Sequence, residues 1–169
     1  MIVRWITGLV YSRGLRALER GDLDSLLANF SESCTLTFAG DSPLGAKLST
    51  AAELRLWFER FRRLLPEPRF EIRRLVISGP PWNQRLASHA IIRSTVGGEP
   101  YENQFGHFLT LRWGKVVDDL IIEDTQMWER ACRRLIAAGV DEAAEKPMWP
   151  VAVPARSYAT APAAAAASR

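Results

Sequence analysis

His107 and Asp124 are the two side chains of this sequence whose types suit proton transfer and whose spacing brings them to one place. Both end up on strand-like runs separated by Gly114-Lys115, and a two-residue turn there pairs Trp113 with Val116, His107 with Ile122 and Phe105 with Asp124. His107 and Asp124 are then diagonal neighbours on one face, about 7–8 Å apart at the backbone. A carboxylate among apolar side chains has its pKa raised by desolvation and exchanges protons near neutral pH, with the imidazole as partner or orienter. The same residues also have quieter readings. Asp124 stands before Thr-Gln-Met as a helix N-cap does, and His107 serves as a satisfied core histidine. Capping and catalysis are compatible.

Strand alternation extends this face to Ser88, Tyr101, Asn103 and Phe105, with Leu120 and Ile122, and sends His89, Gln104, Asp119 and Glu123 to the other. The first face is the more apolar and should meet the helices, while Ser88 and Ala90 leave room for a ligand. Tyr101 and Asn103 offer hydrogen bonds to a ligand carbonyl or hydroxyl, although Asn103 serves equally to satisfy backbone groups at the rim. Asp41 is placed at the pocket mouth, in a Gly-Asp-Ser-Pro segment that is also ordinary turn chemistry. Tyr11 and Trp57 line the pocket from the helices or simply pack in the core.

The elements that must position these residues follow from periodicity. A helix is expected over 3–20, ending at Gly21, and a second one capped by Asp22 with Leu23, Leu26, Leu27 and Phe30 on one side. Cys34, Leu36 and Phe38 alternate as a short strand, followed by the turn-rich segment 40–45. Thr50 and Glu53 form a capping box before the stripe Leu54, Trp57, Phe58, Phe61, Leu64, which Pro66 and Pro68 terminate. Four strands are expected at about 69–78, 85–96, 101–113 and 116–123 as an antiparallel meander, with a bulge near Arg73-Arg74 where the apolar phase slips. A last helix starts around Asp124-Thr125 and stops at Gly139. The order is α+β, with the helices covering one face of a curved sheet.

At 169 residues, with 47% hydrophobic and 24% charged residues, the chain fits one globular domain over 1–146 and a Pro/Ala-rich C-terminal tail over 147–169. The net charge of +3 comes from bases interleaved with acids, as at Glu59, Arg60, Arg62, Arg63 and Glu67, which disfavours nucleic acid as a partner. No stretch is apolar enough for a membrane span, and no small-residue cleavage site follows the first helix, so a cytoplasmic protein is expected. Cys34 and Cys132 have no CxxC partner; neither a disulfide nor a metal site is indicated.

The segments GDLDSLLANFSESCTLTF, FAGDSPLG and PYENQFGHFLTLRWGKVVDDLIIEDT, with the helix after them, resemble the SnoaL-like (polyketide cyclase-like) family of the nuclear transport factor 2-like superfamily. The resemblance implies a cystatin-like cone with a deep pocket and a homodimer through the open sheet face, where Ile91, Phe108 and Ile121 interrupt the charges. It also implies a hydrophobic small-molecule ligand and acid–base chemistry without a cofactor: cyclisation, isomerisation, hydration or hydrolysis. A non-catalytic ligand-binding or interaction module of the same shape is the alternative. Ketosteroid isomerase chemistry is disfavoured, because Phe38 and Gly106 stand where those enzymes carry their base and acid.

Overall fold

The computed structural model describes residues 2–148. Helix α1 (Ile2–Arg20) ends at Gly21, whose φ of +76° reverses the chain. Asp22 caps α2 (Leu23–Leu27) by accepting from the Ser25 N–H. This helix stops short of Phe30, which instead opens β1 (Phe30–Phe38). A three-residue strand that sequence periodicity did not reveal, β2 (Ala46–Leu48), pairs antiparallel with β1. Helix α3 (Ala51–Leu64) carries the expected capping box and buries Leu54, Trp57, Phe58, Phe61 and Leu64.

Strands β3 (Arg69–Ser78), β4 (Gln84–Val96), β5 (Glu99–Arg112) and β6 (Lys115–Glu123) form the meander, and α4 (Thr125–Ala137) closes the fold. The sheet order is β2-β1-β6-β5-β4-β3. The sheet is not antiparallel throughout: β1 lies parallel to β6, pairing Leu36 with Asp119 and Phe38 with Ile121. A short 3₁₀ turn, Asp141–Ala144, follows α4, and Arg60 of α3 holds this segment through Glu142, Glu145 and the Lys146 carbonyl. Met148 bridges to Ala46 and packs against the core, so the chain is still in contact with the domain just past 146; residues 149–169, most of the expected tail, lie outside the described residues.

Two bulges shape the sheet. The expected one is present at Arg73, since Ile72 pairs with Ala90 but Arg74 with His89. The other corrects the register derived from the sequence. The β5–β6 turn is Trp113-Gly114, with φ of 50° and 77° as a type I′ turn requires, and Arg112 pairs with Lys115. Leu111 then pairs with Val116, but Thr110 pairs with Asp118, which leaves Val117 as the extra residue. Beyond that point the parity of β6 is reversed. His107 stands opposite Ile121 and Phe105 opposite Glu123, so Asp119, Ile121 and Glu123 face inward while Ile122 turns out and is 47% exposed.

Trp57 sits at the centre of the helix–sheet core: it is buried, contacts the rings of Phe38, Phe58 and Phe61, and donates its indole N–H to the Leu44 carbonyl at 2.8 Å. Trp57→Ala removes both the packing and the hydrogen bond. It is expected to destabilise the domain by about 3–5 kcal/mol, read from urea unfolding followed by far-UV circular dichroism.

Candidate functional site

Between α1, α3 and the concave face of the sheet lies a cavity of about 100 Å³. Its walls are almost wholly apolar, with Phe38, Trp57, Phe61, Phe70, Phe105 and Leu109 among them. The polar exceptions inside it are Tyr11, His107, Asp119 and Glu123, with Asn29 at its edge. A small apolar space with a few placed polar groups suits a compact ligand or one end of a larger one.

Tyr11, His107 and Asp119 form one hydrogen-bonded chain. His107 Nε2 is 2.7 Å from Asp119 Oδ1, and Tyr11 Oη is 3.0 Å from His107 Nδ1. A carboxylate can only accept, so Nε2 carries a proton toward Asp119; in the tautomer with that proton alone, Nδ1 accepts from the Tyr11 hydroxyl. All three residues are buried. Burial pushes the Tyr11 hydroxyl pKa up to about 12, the nearby Ser88 hydroxyl opposes this and the Asp119 charge adds to it, so the phenol stays protonated as a donor. Tyr11 reaches His107 because α1 lies on the inner face over β3, which places its hydroxyl above the middle of β5.

The structure therefore joins His107 to Asp119 rather than to Asp124. The Val117 bulge is the physical reason: it turns Asp119 inward and leaves Asp124 past the end of β6. Asp124 is exposed and caps α4, its Oδ1 accepting from the Gln126 and Met127 N–H groups at 3.1 and 3.3 Å. Tyr11, Trp57 and Phe105 line the cavity. Ser88 is buried opposite His107 on β4. Tyr101 and Asn103 are buried but do not line the cavity; Asn103 Nδ2 lies 2.9 Å from Tyr101 Oη and 3.1 Å from the Asp124 carbonyl, and its Oδ1 accepts from the Gln104 N–H. Asp41 is exposed in the loop after β1 and does not line the cavity.

Asp119 and Glu123 are the functional candidates that sequence reasoning put on the wrong face. Glu123 lines the cavity with its carboxyl largely buried, and its pKa is pushed up to about 8, chiefly by that burial, with the Asn103 hydrogen bond opposing and the Asp124 charge adding. Among the described residues no group of three metal-ligating side chains occurs, and no helix is long and apolar enough to cross a membrane.

Comparison with known proteins agrees with this architecture. The family model of the SnoaL-like domain matches residues 11–119. Among solved structures, PrhC from Penicillium brasilianum is 22% identical, with a TM-score of 0.70 over 83% of this chain and 97% of that one. BvnE pinacolase from Penicillium brevicompactum is 18% identical, with a TM-score of 0.68 over 81% and 99%. An NTF2-like protein from Burkholderia thailandensis is 18% identical, with a TM-score of 0.64 over 74% and 95%. No curated protein sequence matches the chain.

The raised Glu123 pKa has a thermodynamic consequence. In the unfolded chain this carboxyl ionises in the ordinary range near 4.5, whereas in the fold it holds its proton to about 8. The folded state binds more protons in between, so this group's contribution is fully present below about pH 4.5 and is lost as pH rises to about 8. Glu123→Gln keeps size and removes the titration. The melting temperature of the variant relative to the parent should therefore rise between pH 5 and 8 and level off above, as followed by calorimetry.

Proposed function

The chain belongs to the SnoaL-like domain family, and on that premise we propose that it is a small-molecule enzyme whose Tyr11–His107–Asp119 chain carries out cofactor-free acid–base chemistry on a hydrophobic metabolite. The observation that supports this is the placement of the chain itself: an imidazole held between a carboxylate and a phenol, on the wall of an apolar cavity. The Tyr11 proton points at His107, so the Tyr11 oxygen is left with lone pairs toward a ligand. A ligand hydroxyl donates to that oxygen, the Tyr11 proton passes to Nδ1, and Asp119 stabilises the imidazolium that forms. The net step takes one proton from the ligand oxygen, and its reversal returns one to the product. Such a step serves isomerisation or cyclisation of a hydroxy-ketone, in which the oxyanion formed on the ligand rearranges or attacks a carbonyl carbon.

Asp124 enters this reading as the cap that fixes the end of β6, not as the base. In liquid chromatography–mass spectrometry of products from a panel of polycyclic hydroxy-ketones, Tyr11→Phe, His107→Ala and Asp119→Asn should each lower turnover by about 10²–10⁴-fold. Their combinations should be far less than additive, because they act as one unit. Asp124→Asn should leave turnover unchanged and cost at most about 1 kcal/mol of stability. Parent-like turnover in both His107→Ala and Asp119→Asn would remove the mechanism and favour a carrier that binds the same ligand without converting it.

On this reading the protein works in the cytoplasm as a homodimer paired through the outer face of the sheet. There Val76, Ala87, Phe108 and Leu120 stand in one register row, and Val76 and Phe108 are 64% and 43% exposed. Ile122 of β6 takes the place on this face that the sequence suggested for Ile121. Phe108→Glu puts a charge in the middle of the row and should shift the sedimentation coefficient from dimer to monomer at micromolar concentration.

A further inference from the structure

β6 delivers two carboxyl groups to the cavity, and only one of them is engaged by the proton-transfer chain. Asp119 and Glu123 are four residues apart on one face of the strand, so their backbones are separated by about 13 Å at a rise of about 3.3 Å per residue. Asp119 is committed to His107. The Glu123 Oε2 accepts from Asn103 Nδ2 at 3.2 Å, but its Oε1 is buried with no hydrogen-bond partner among the described residues.

The surroundings decide what state this carboxyl is in. Asn103 has its two N–H groups shared among Glu123, the Tyr101 hydroxyl and the Asp124 carbonyl, so it offers nothing further. From β5 the titratable neighbour is Tyr101, from α4 it is Cys132, and burial keeps both protonated. The charged neighbour is Asp124, an anion, which favours a proton on Glu123. The cavity wall on this side is Phe38, Ile92 and Phe105, which offer no counter-charge. A buried carboxyl without a cation takes up a proton, and the pKa of about 8 agrees with that. A carboxylic acid has one O–H to donate, and a buried donor left without an acceptor is costly.

We propose that Glu123 is a second polar station of this cavity, a neutral carboxylic acid that donates a hydrogen bond to a carbonyl or ether oxygen of the ligand. The proposal rests on the small-molecule reading above and narrows it. The ligand class is a compact apolar molecule, or the compact end of a larger one, with a proton-yielding hydroxyl at the His107 end and an acceptor oxygen at the Glu123 end, since His107 stands opposite Ile121, about 7 Å along the sheet from the Glu123 position. Glu123 transfers no proton; it fixes which way round the ligand lies.

Acetophenone and ethylbenzene test this, because they share shape and differ by one carbonyl oxygen. Dissociation constants are measured by isothermal titration calorimetry on the full chain between pH 6 and 9.5. The parent should prefer acetophenone by about tenfold at pH 6, the worth of one buried hydrogen bond, and lose the preference as pH passes about 8. Glu123→Gln keeps an N–H donor and should hold its preference across the whole range. Glu123→Leu should bind ethylbenzene like the parent and show no preference at any pH. A preference that persists in Glu123→Leu, or one that is independent of pH in the parent, would place the carbonyl elsewhere and overturn the proposal. Binding of neither probe would overturn the small-molecule reading of the cavity as a whole, which is a separate failure. The pH profile of the parent stands without either variant folding.

Discussion

The site depends on one extra residue in β6. Val117 has no partner on β5, and because side chains alternate along a strand, that single insertion decides which half of β6 faces the helices. Without it, Asp119 and Glu123 would point to the outer face and Leu120 and Ile122 into the core. The core would then be more apolar and, by burial alone, more stable. The fold instead places two acids in an apolar space, and each is accommodated by a different means: Asp119 by a hydrogen bond from His107, Glu123 by retaining its proton.

This accommodation explains why the surrounding contacts are arranged as they are. Asp119 needs an imidazole, the imidazole needs a donor for its second nitrogen, and α1 supplies one in Tyr11. At the other end, Asn103 holds one Glu123 oxygen while also satisfying the carbonyl of Asp124, where β6 hands over to α4. The Asp124 side chain in turn satisfies the first N–H groups of α4. A bulge is thus locked in place from both sides: the helix-cap end cannot slide along β5 without breaking Asn103's contacts, and the turn end is fixed by Trp113-Gly114.

Part of this architecture is carried by local sequence pattern and part of it is not. Helix α3 was legible because its capping box and its apolar stripe agree, and the bulge at Arg73 was legible because Phe70 and Ile72 lie on even positions while Leu75 and Ile77 lie on odd ones. The inner face of β4 and β5 was legible for the same reason. The second bulge left no such trace. In KVVDDLIIE both parities hold apolar residues, Val116, Leu120 and Ile122 against Val117 and Ile121, and each holds acids, so neither phase is preferred by pattern alone. His107 is therefore legible in the sequence and its carboxylate partner is not. β2 was too short to show a period, and the parallel pairing of β1 with β6 joins segments so distant along the chain that no local pattern encodes it.

That parallel pairing also governs the order of assembly. β1 leaves the chain early with only the three-residue β2 available as a neighbour, and its long edge faces β6, whose residues are made roughly eighty positions later. Until β6 arrives, the chain carries an unpaired strand edge beside the apolar faces of α1 and α3, and contacts of such sequence separation close slowly. The meander β3–β4–β5–β6 is by contrast a run of local hairpins that can form as soon as it emerges. By that argument the seam between the earliest strand and the latest is the slowest pairing to close, and Asp119, opposite Leu36 across it, has its final surroundings only once it has closed. The Tyr11–His107–Asp119 chain is complete only when the fold is closed.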